Sequence, residues 1–241
     1  MPTTADAPKC FAQVGDRRIV DWILSALRAG GVDRITFVGG YRIDSIRAAY
    51  PDLDFIENPQ WETTNILGSL MCAQGRMDAG FVSSYADIVY RADAVRRLLA
   101  ARDPITLVVD TAWRARYAPR SQHPPTDGEK VVVANHIVQR IHRDIDPDHA
   151  HGEFIGLAKF TVEGAAMLRS AWAQHQAKTD GGPFRGATSI GNAYMIQLLQ
   201  QMIEDGVSIA HIDIDGGYHE IDTQEDFDLA RAAHTAGERW G

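Results

Sequence analysis

Two aspartates offer this sequence its clearest route to chemistry. Asp87 lies in SSYADIVY, after an apolar run that reads as a strand, and Asp222 lies in GGYHEIDTQEDF, after a double glycine that lets the backbone bend closely. Carboxylates at two strand ends can meet across a crevice and hold a hard divalent cation such as Mg²⁺. Such an ion screens a triphosphate and stabilises charge on its bridging oxygens. Spacing alone also allows a plainer reading, and acidic caps are common: Asp87 caps a helix and Asp222 pairs with a nearby base.

Other polar positions fit the same chemistry. Lys9 follows a proline that fixes the chain, and can touch phosphate as a point charge or stay solvated. Asn65 and Ser69 stand four apart at a helix start, where they face a nucleotide or cap the helix. Arg114, Arg116 and Arg120 crowd a long polar loop after the apolar run ITLVVD. Arginine forks onto phosphonate or carboxylate bidentately, so these three are candidate substrate contacts; the alternative is that they balance Asp110, Asp127 or Glu129. DPDHAHGE gathers Asp148, His149, His151 and Glu153, a zinc-like donor set, but its proline and alternating polar residues read as a solvated surface turn.

The bulk numbers restrict the partners. A net charge of −8 argues against nucleic acid, so an anionic ligand needs a few local cations and a metal. Two cysteines make no disulfide framework, which fits a reducing cytoplasm. No apolar run reaches membrane-spanning length. FVGGY lacks the G-x-G-x-x-G spacing of a nicotinamide dinucleotide site, and no Gly-x-Ser-x-Gly elbow is present.

The elements that must position these residues alternate. Apolar periodicity predicts helices near 19–30, 65–74 and 95–102, and the segments 43–49, 162–178, 189–204 and 224–236 also read as helices. Strands are predicted at RITFVGG, DFIENP, AGFVSS, ITLVVD, FIGLAKF and VSIAHIDID, and KVVVANHIV reads as one extended run on its β-branched residues. Strand–helix alternation implies a single α/β domain over 1–241, with a Rossmann-like mixed, mostly parallel sheet and helices on both faces. Ligands of such sheets sit at the carboxyl ends of the strands, which places Asp87, Asp222 and the arginine loop around one crevice.

In order, PKCFAQVGDRRIVDWILSALRAGGVDRITFVGGY, ENPQWETTNILGSL, YADIVY and YHEIDTQEDFDLA resemble the nucleotidyltransferases of the sugar-phosphate and choline-phosphate type. LVVDTAW, EFIGLAKFT and MIQLLQQMIEDGVSIAHIDIDGGYHEIDT look most like the cytidylyltransferases found beside phosphoenolpyruvate mutase in phosphonate biosynthesis. The resemblance implies a nucleotide-diphospho-sugar transferase fold and transfer of CMP from CTP to a small phosphonate, with Mg²⁺ as cofactor. It implies that Asp87 and Asp222 hold the metal, that Lys9 meets phosphate, and that Asn65 and Ser69 lie beside the nucleotide. Choline phosphate or a sugar phosphate is the alternative acceptor, with Trp113, Tyr117 and Trp61 available for a quaternary ammonium. A homo-oligomer is compatible with the sequence. The family's first strand and glycine-rich loop normally precede the proline-lysine pair and are missing here, so either the chain starts upstream of Met1 or it is a nucleotide-binding relative without catalysis.

Overall fold

A computed structural model describes residues 7–241. The chain opens with a small hairpin, β1 (Gln13–Val14) and β2 (Arg17–Arg18), that leads into α1 (Ile19–Gly30). Gly31 closes α1 at φ 106°, a left-handed C-cap that glycine adopts without steric cost. β3 (Thr36–Gly39), α2 (Ile43–Ala49) and β4 (Asp54–Glu57) form a unit in which β3 and β4 pair in parallel. Then follow α3 (Ile66–Cys72), β5 (Phe81–Ser84), β6 (Ile88–Tyr90), α4 (Ala92–Ala100), β7 (Ile105–Asp110) and α5 (Trp113–Tyr117). The second half contributes β8 (Lys130–Ala134), β9 (Ile137–His142), β10 (Gly152–Phe160), α6 (Val162–Thr179), α7 (Met195–Glu204), β11 (Ala210–Ile214), β12 (Tyr218–Glu220) and α8 (Gln224–Thr235).

The main sheet has six strands in the order β5-β10-β7-β11-β9-β8, and the start of β10 also pairs with β8. β5, β7, β8 and β11 share one direction, opposed by β9 and β10, so the hydrogen-bonded pair β7–β11 is parallel and its neighbours are antiparallel. All six residues of β7 are buried, as expected for a central strand covered on both faces. Ile105, Leu107 and Val109 join the cluster beneath α3, α6 and α7, while Val108 joins the one beneath α1, α4 and α8. Each large side chain buried this way stabilises the fold by roughly 1.5–3 kcal/mol.

Three expectations change. KVVVANHIV is two strands: β8 and β9 fold back at Asn135 and His136, with φ values of 50° and 59°. Two successive left-handed residues make the tight hairpin turn that matches strand twist. The segment 189–204 splits into a 3₁₀ turn at Ile190–Asn192 and α7. The polar loop after β7 contains α5, whose Trp113 and Tyr117 are buried.

β3 and β5 present their remaining edges to a cavity of about 720 Å³, lined by Leu24 of α1, Val38, Val82, Ile66 and Met195. Among the described residues no strand pairs with either of these two edges. Among the described residues no strand or glycine-rich loop precedes Pro8.

Candidate active site

β6 and β12 make the site. They pair antiparallel outside the main sheet, with Ile88 opposite Glu220 and Tyr90 opposite Tyr218, and Ile221 N–H donates to Asp87 C=O at 2.9 Å. Asp87 and Asp222 therefore flank the same end of one ladder. Lys9 bridges them: its Nζ lies 2.8 Å from Asp87 Oδ2 and 2.5 Å from Asp222 Oδ1. Lys9 arrives from a 3₁₀ turn at Lys9–Phe11 that follows Pro8.

The start of α8 holds Asp222 in place. Thr223 Oγ1 accepts from Asp226 N–H at 3.1 Å, and Asp226 Oδ2 accepts from Thr223 N–H at 2.9 Å and Asp222 N–H at 3.2 Å. This reciprocal box satisfies backbone donors that a helix start leaves unpaired. The helix dipole also favours a carboxylate at this end.

The cluster is dense in negative charge. Burial raises the Asp87 carboxyl above the usual carboxylate range; Lys9 opposes the rise and Asp222 adds to it. Burial acts against the Lys9 ammonium, but the two aspartates outweigh it and raise its pKa. Glu220, largely buried one rung away, is pushed up to about 7 by burial and then by Asp222 and Asp87. His123, Glu220 and Asp222 place one ligand atom each within 4.8 Å of one another.

These residues fit a divalent cation. Two carboxylate oxygens already converge on one positive centre, the Lys9 ammonium, and their bond lengths of 2.8 and 2.5 Å limit their separation to about 5.3 Å. Oxygens across an octahedral Mg²⁺ stand about 4.2 Å apart and adjacent ones about 3.0 Å, given bonds of roughly 2.1 Å. A closure of about 1 Å or less between the partly buried Asp87 and the exposed Asp222 brings their oxygens to the wider of these spacings.

The other expected residues lie on α3 and in the loop after β7. Asn65 caps α3, its Oδ1 accepting from Ile66 N–H at 2.8 Å. Ser69 lines the cavity and accepts from the buried Asn58, whose Nδ2 donates to Ser69 Oγ at 3.0 Å and Thr64 Oγ1 at 2.8 Å.

All three arginines have internal partners. Arg116, with its side chain 8% exposed, pairs with Glu153 and lies 3.9 Å from Asp110. Arg120, 2% exposed, pairs with Asp226 at 2.8 Å and donates to Glu220 C=O at 2.9 Å. Arg114 is exposed and reaches Pro147 C=O and Asp148, the latter at 3.3 Å. In this structure Arg116 and Arg120 face fixed carboxylate partners, as burial of a guanidinium requires, and Arg114 alone of the three is exposed. Arg120 instead braces the α8 start that carries Asp222.

A second group stands beside Asp87. Tyr85 donates from its hydroxyl to Glu129 Oε2 at 3.2 Å, and Arg143 Nη2 lies 3.5 Å from Glu129 Oε1. The Arg143 guanidinium covers the ring of Tyr194 at 4.1 Å. Burial pushes the Glu129 carboxyl up to about 7 against the pull of Arg143 and the Tyr85 hydroxyl. Gly156, at φ 79°, lets Tyr85 approach, since a Cβ there would stand 2.3 Å from the ring. Sequence reading missed Glu220, His123, Glu129 and Arg143. Only Glu220 left a signal, standing two residues before Asp222 in an extended run and hence on the same face.

The sequence signature of the MobA-like NTP transferase domain matches residues 3–157. The chain belongs to the MobA-like NTP transferase family. This nucleotidyltransferase chain is 29% identical over 239 residues to a CTP:phosphoglutamine cytidylyltransferase of Campylobacter jejuni, covering 95% of this chain and 93% of the relative. Its fold is similar to the inositol-1-phosphate CTP transferase of T. maritima, at TM-score 0.71 and 20% identity, covering 95% of this chain and 88% of that one. It is equally similar to the CTP:phosphocholine cytidylyltransferase LicC of Streptococcus pneumoniae, at TM-score 0.71 and 16% identity, covering 97% and 92%.

Proposed function

We propose that this nucleotidyltransferase moves CMP from CTP to an oxygen of a small phosphonate and releases pyrophosphate. The convergence of Asp87 and Asp222 on one cationic centre carries the reading. Mg²⁺ held by the two carboxylates would neutralise charge on the α-phosphate and on the incoming oxyanion. Lys9, displaced from the carboxylates, is free to meet phosphate oxygen as a point charge. No general base is needed, because a phosphonate oxygen is already ionised near neutral pH. Positioning and charge neutralisation supply the rate.

CTP as donor is supported by the cytidylyltransferases to which the chain is similar. Asn65, at the start of α3, and Ser69, bonded to Asn58, take the nucleotide side. Arg143, 39% exposed and free to fork beyond its long contact with Glu129, takes the acceptor anion. Phosphate on an amino-acid amide is the second acceptor reading, favoured by the phosphoglutamine relative.

The test is pyrophosphate release with each of the four NTPs against phosphonate and phosphate acceptors, with and without Mg²⁺. CTP- and Mg²⁺-dependent turnover of a phosphonate supports the proposal. Turnover confined to phosphate acceptors moves the function to the second reading, and none with any acceptor overturns both.

A further inference from the structure

The surface run DPDHAHGE does not stay together. Asp148 pairs with Arg114, His149 is exposed, and Glu153 is buried against Arg116 and Tyr117. His151 turns elsewhere and meets two residues of β11. His151 Nε2 lies 2.9 Å from Asp213 Oδ1, and His211 Nδ1 lies 2.9 Å from the same oxygen. The two imidazole rings stand edge to face, with centroids 5.0 Å apart. All three ligand atoms fall within 4.8 Å of one another.

The scaffold under this trio is stiff. His211 and Asp213 alternate along β11, so both side chains project from one face of a strand held by the buried β7. His151 immediately precedes β10, and its N–H donates to Val131 C=O at 2.8 Å. None of the three belongs to the Asp87–Asp222 cluster.

We infer that His151, His211 and Asp213 form a second metal site, for zinc or a similar borderline divalent cation. Two imidazole nitrogens and one carboxylate oxygen make a donor set that zinc takes and Mg²⁺ does not favour. Ligand atoms around a tetrahedral zinc stand about 3.3 Å apart, given bonds of roughly 2.0–2.1 Å. The two 2.9 Å contacts need to open by a few tenths of an ångström, and the two imidazole nitrogens, within 4.8 Å of each other, need to come to the same spacing. Three protein ligands leave a fourth position for water or a ligand atom. The ion ties the amino end of β10 to β11, across the intervening β7.

The experiment uses the full chain with Asp87→Asn and Asp222→Asn, so that the carboxylate cluster cannot account for uptake. Zn²⁺ binding is measured by equilibrium dialysis and the geometry by the visible absorption of Co²⁺. One equivalent should bind, with an intense tetrahedral Co²⁺ band and a raised Tm. His151→Gln and His211→Gln should each remove the band and the Tm rise, while His123→Gln keeps both. If His211→Gln does not fold, His151→Gln, at the strand's entry, decides alone. No uptake by the parent, or undiminished uptake by His151→Gln, overturns the site.

Discussion

Asp87 and Asp222 lie at one end of the same two-stranded ladder because Ile88 stands opposite Glu220. That rung, with the Ile221-to-Asp87 backbone hydrogen bond, brings two carboxylates from distant parts of the chain onto the single ammonium of Lys9.

Replacing either aspartate with asparagine should lower pyrophosphate release by about 10²–10³-fold, the usual scale for losing one electrostatic contact at the reacting centre. Circular dichroism should show an intact fold, because the β6–β12 backbone pairing does not use these side chains. Undiminished turnover in Asp87→Asn would remove the metal assignment.

Arg120 and Arg116 should behave as braces. Arg120→Met takes one ion partner from the buried Asp226, which keeps His123 and two backbone donors, at a cost of about 1–3 kcal/mol. Urea denaturation should show that loss, whereas the exposed Arg114→Ala should change stability by less than about 1 kcal/mol. Unchanged urea midpoints for Arg120→Met and Arg116→Met, with a raised acceptor KM, would return these residues to the substrate.

Arg143→Lys keeps the charge but loses the fork and the stacking on Tyr194. The acceptor KM should rise by about 10–100-fold, the equivalent of one charge-assisted hydrogen bond, while the KM for CTP stays constant. Equal rises in both would place Arg143 outside the acceptor pocket.

Glu129 titrates near 7 in the folded chain, against 4.5 as its ordinary value. The native state therefore keeps a proton that the unfolded state has released, and stability falls as pH rises from about 4.5 to 7. The loss from this group is on the order of 3 kcal/mol. Denaturant melts across that window should show a shallower fall for Glu129→Gln, and identical slopes would refute the buried-proton account.

The cavity between β3 and β5 exposes backbone that ordinary sheet pairing would protect. Hydrogen exchange should find slot-facing amides of Thr36–Gly39 and Phe81–Ser84 exchanging well ahead of β7 amides. Uniform protection across all three strands would show that the edges are closed in solution.

Much of the architecture was legible. The apolar runs of β7 and β10 and the periodicity of α1 and α4 report burial, which is a local property of side-chain type and spacing. The β8–β9 turn was not legible, because Asn135–His136 carries no glycine to announce its left-handed backbone. The 3-residue strands β6 and β12 are too short for periodicity to register.

The sequence by itself determined the alternation of the main strands and helices and the candidacy of Lys9, Asp87 and Asp222. Only the tertiary structure decided what each charge faces. Arg116 and Arg120 look like ligand-binding cations when read along the chain, yet they end against Glu153 and Asp226. The reason is physical: an ion pair is a relation between two positions, and residue type states a charge without stating its partner. Ladder pairing and helix packing bring the partners together, and neither leaves a trace in the spacing of the residues they join.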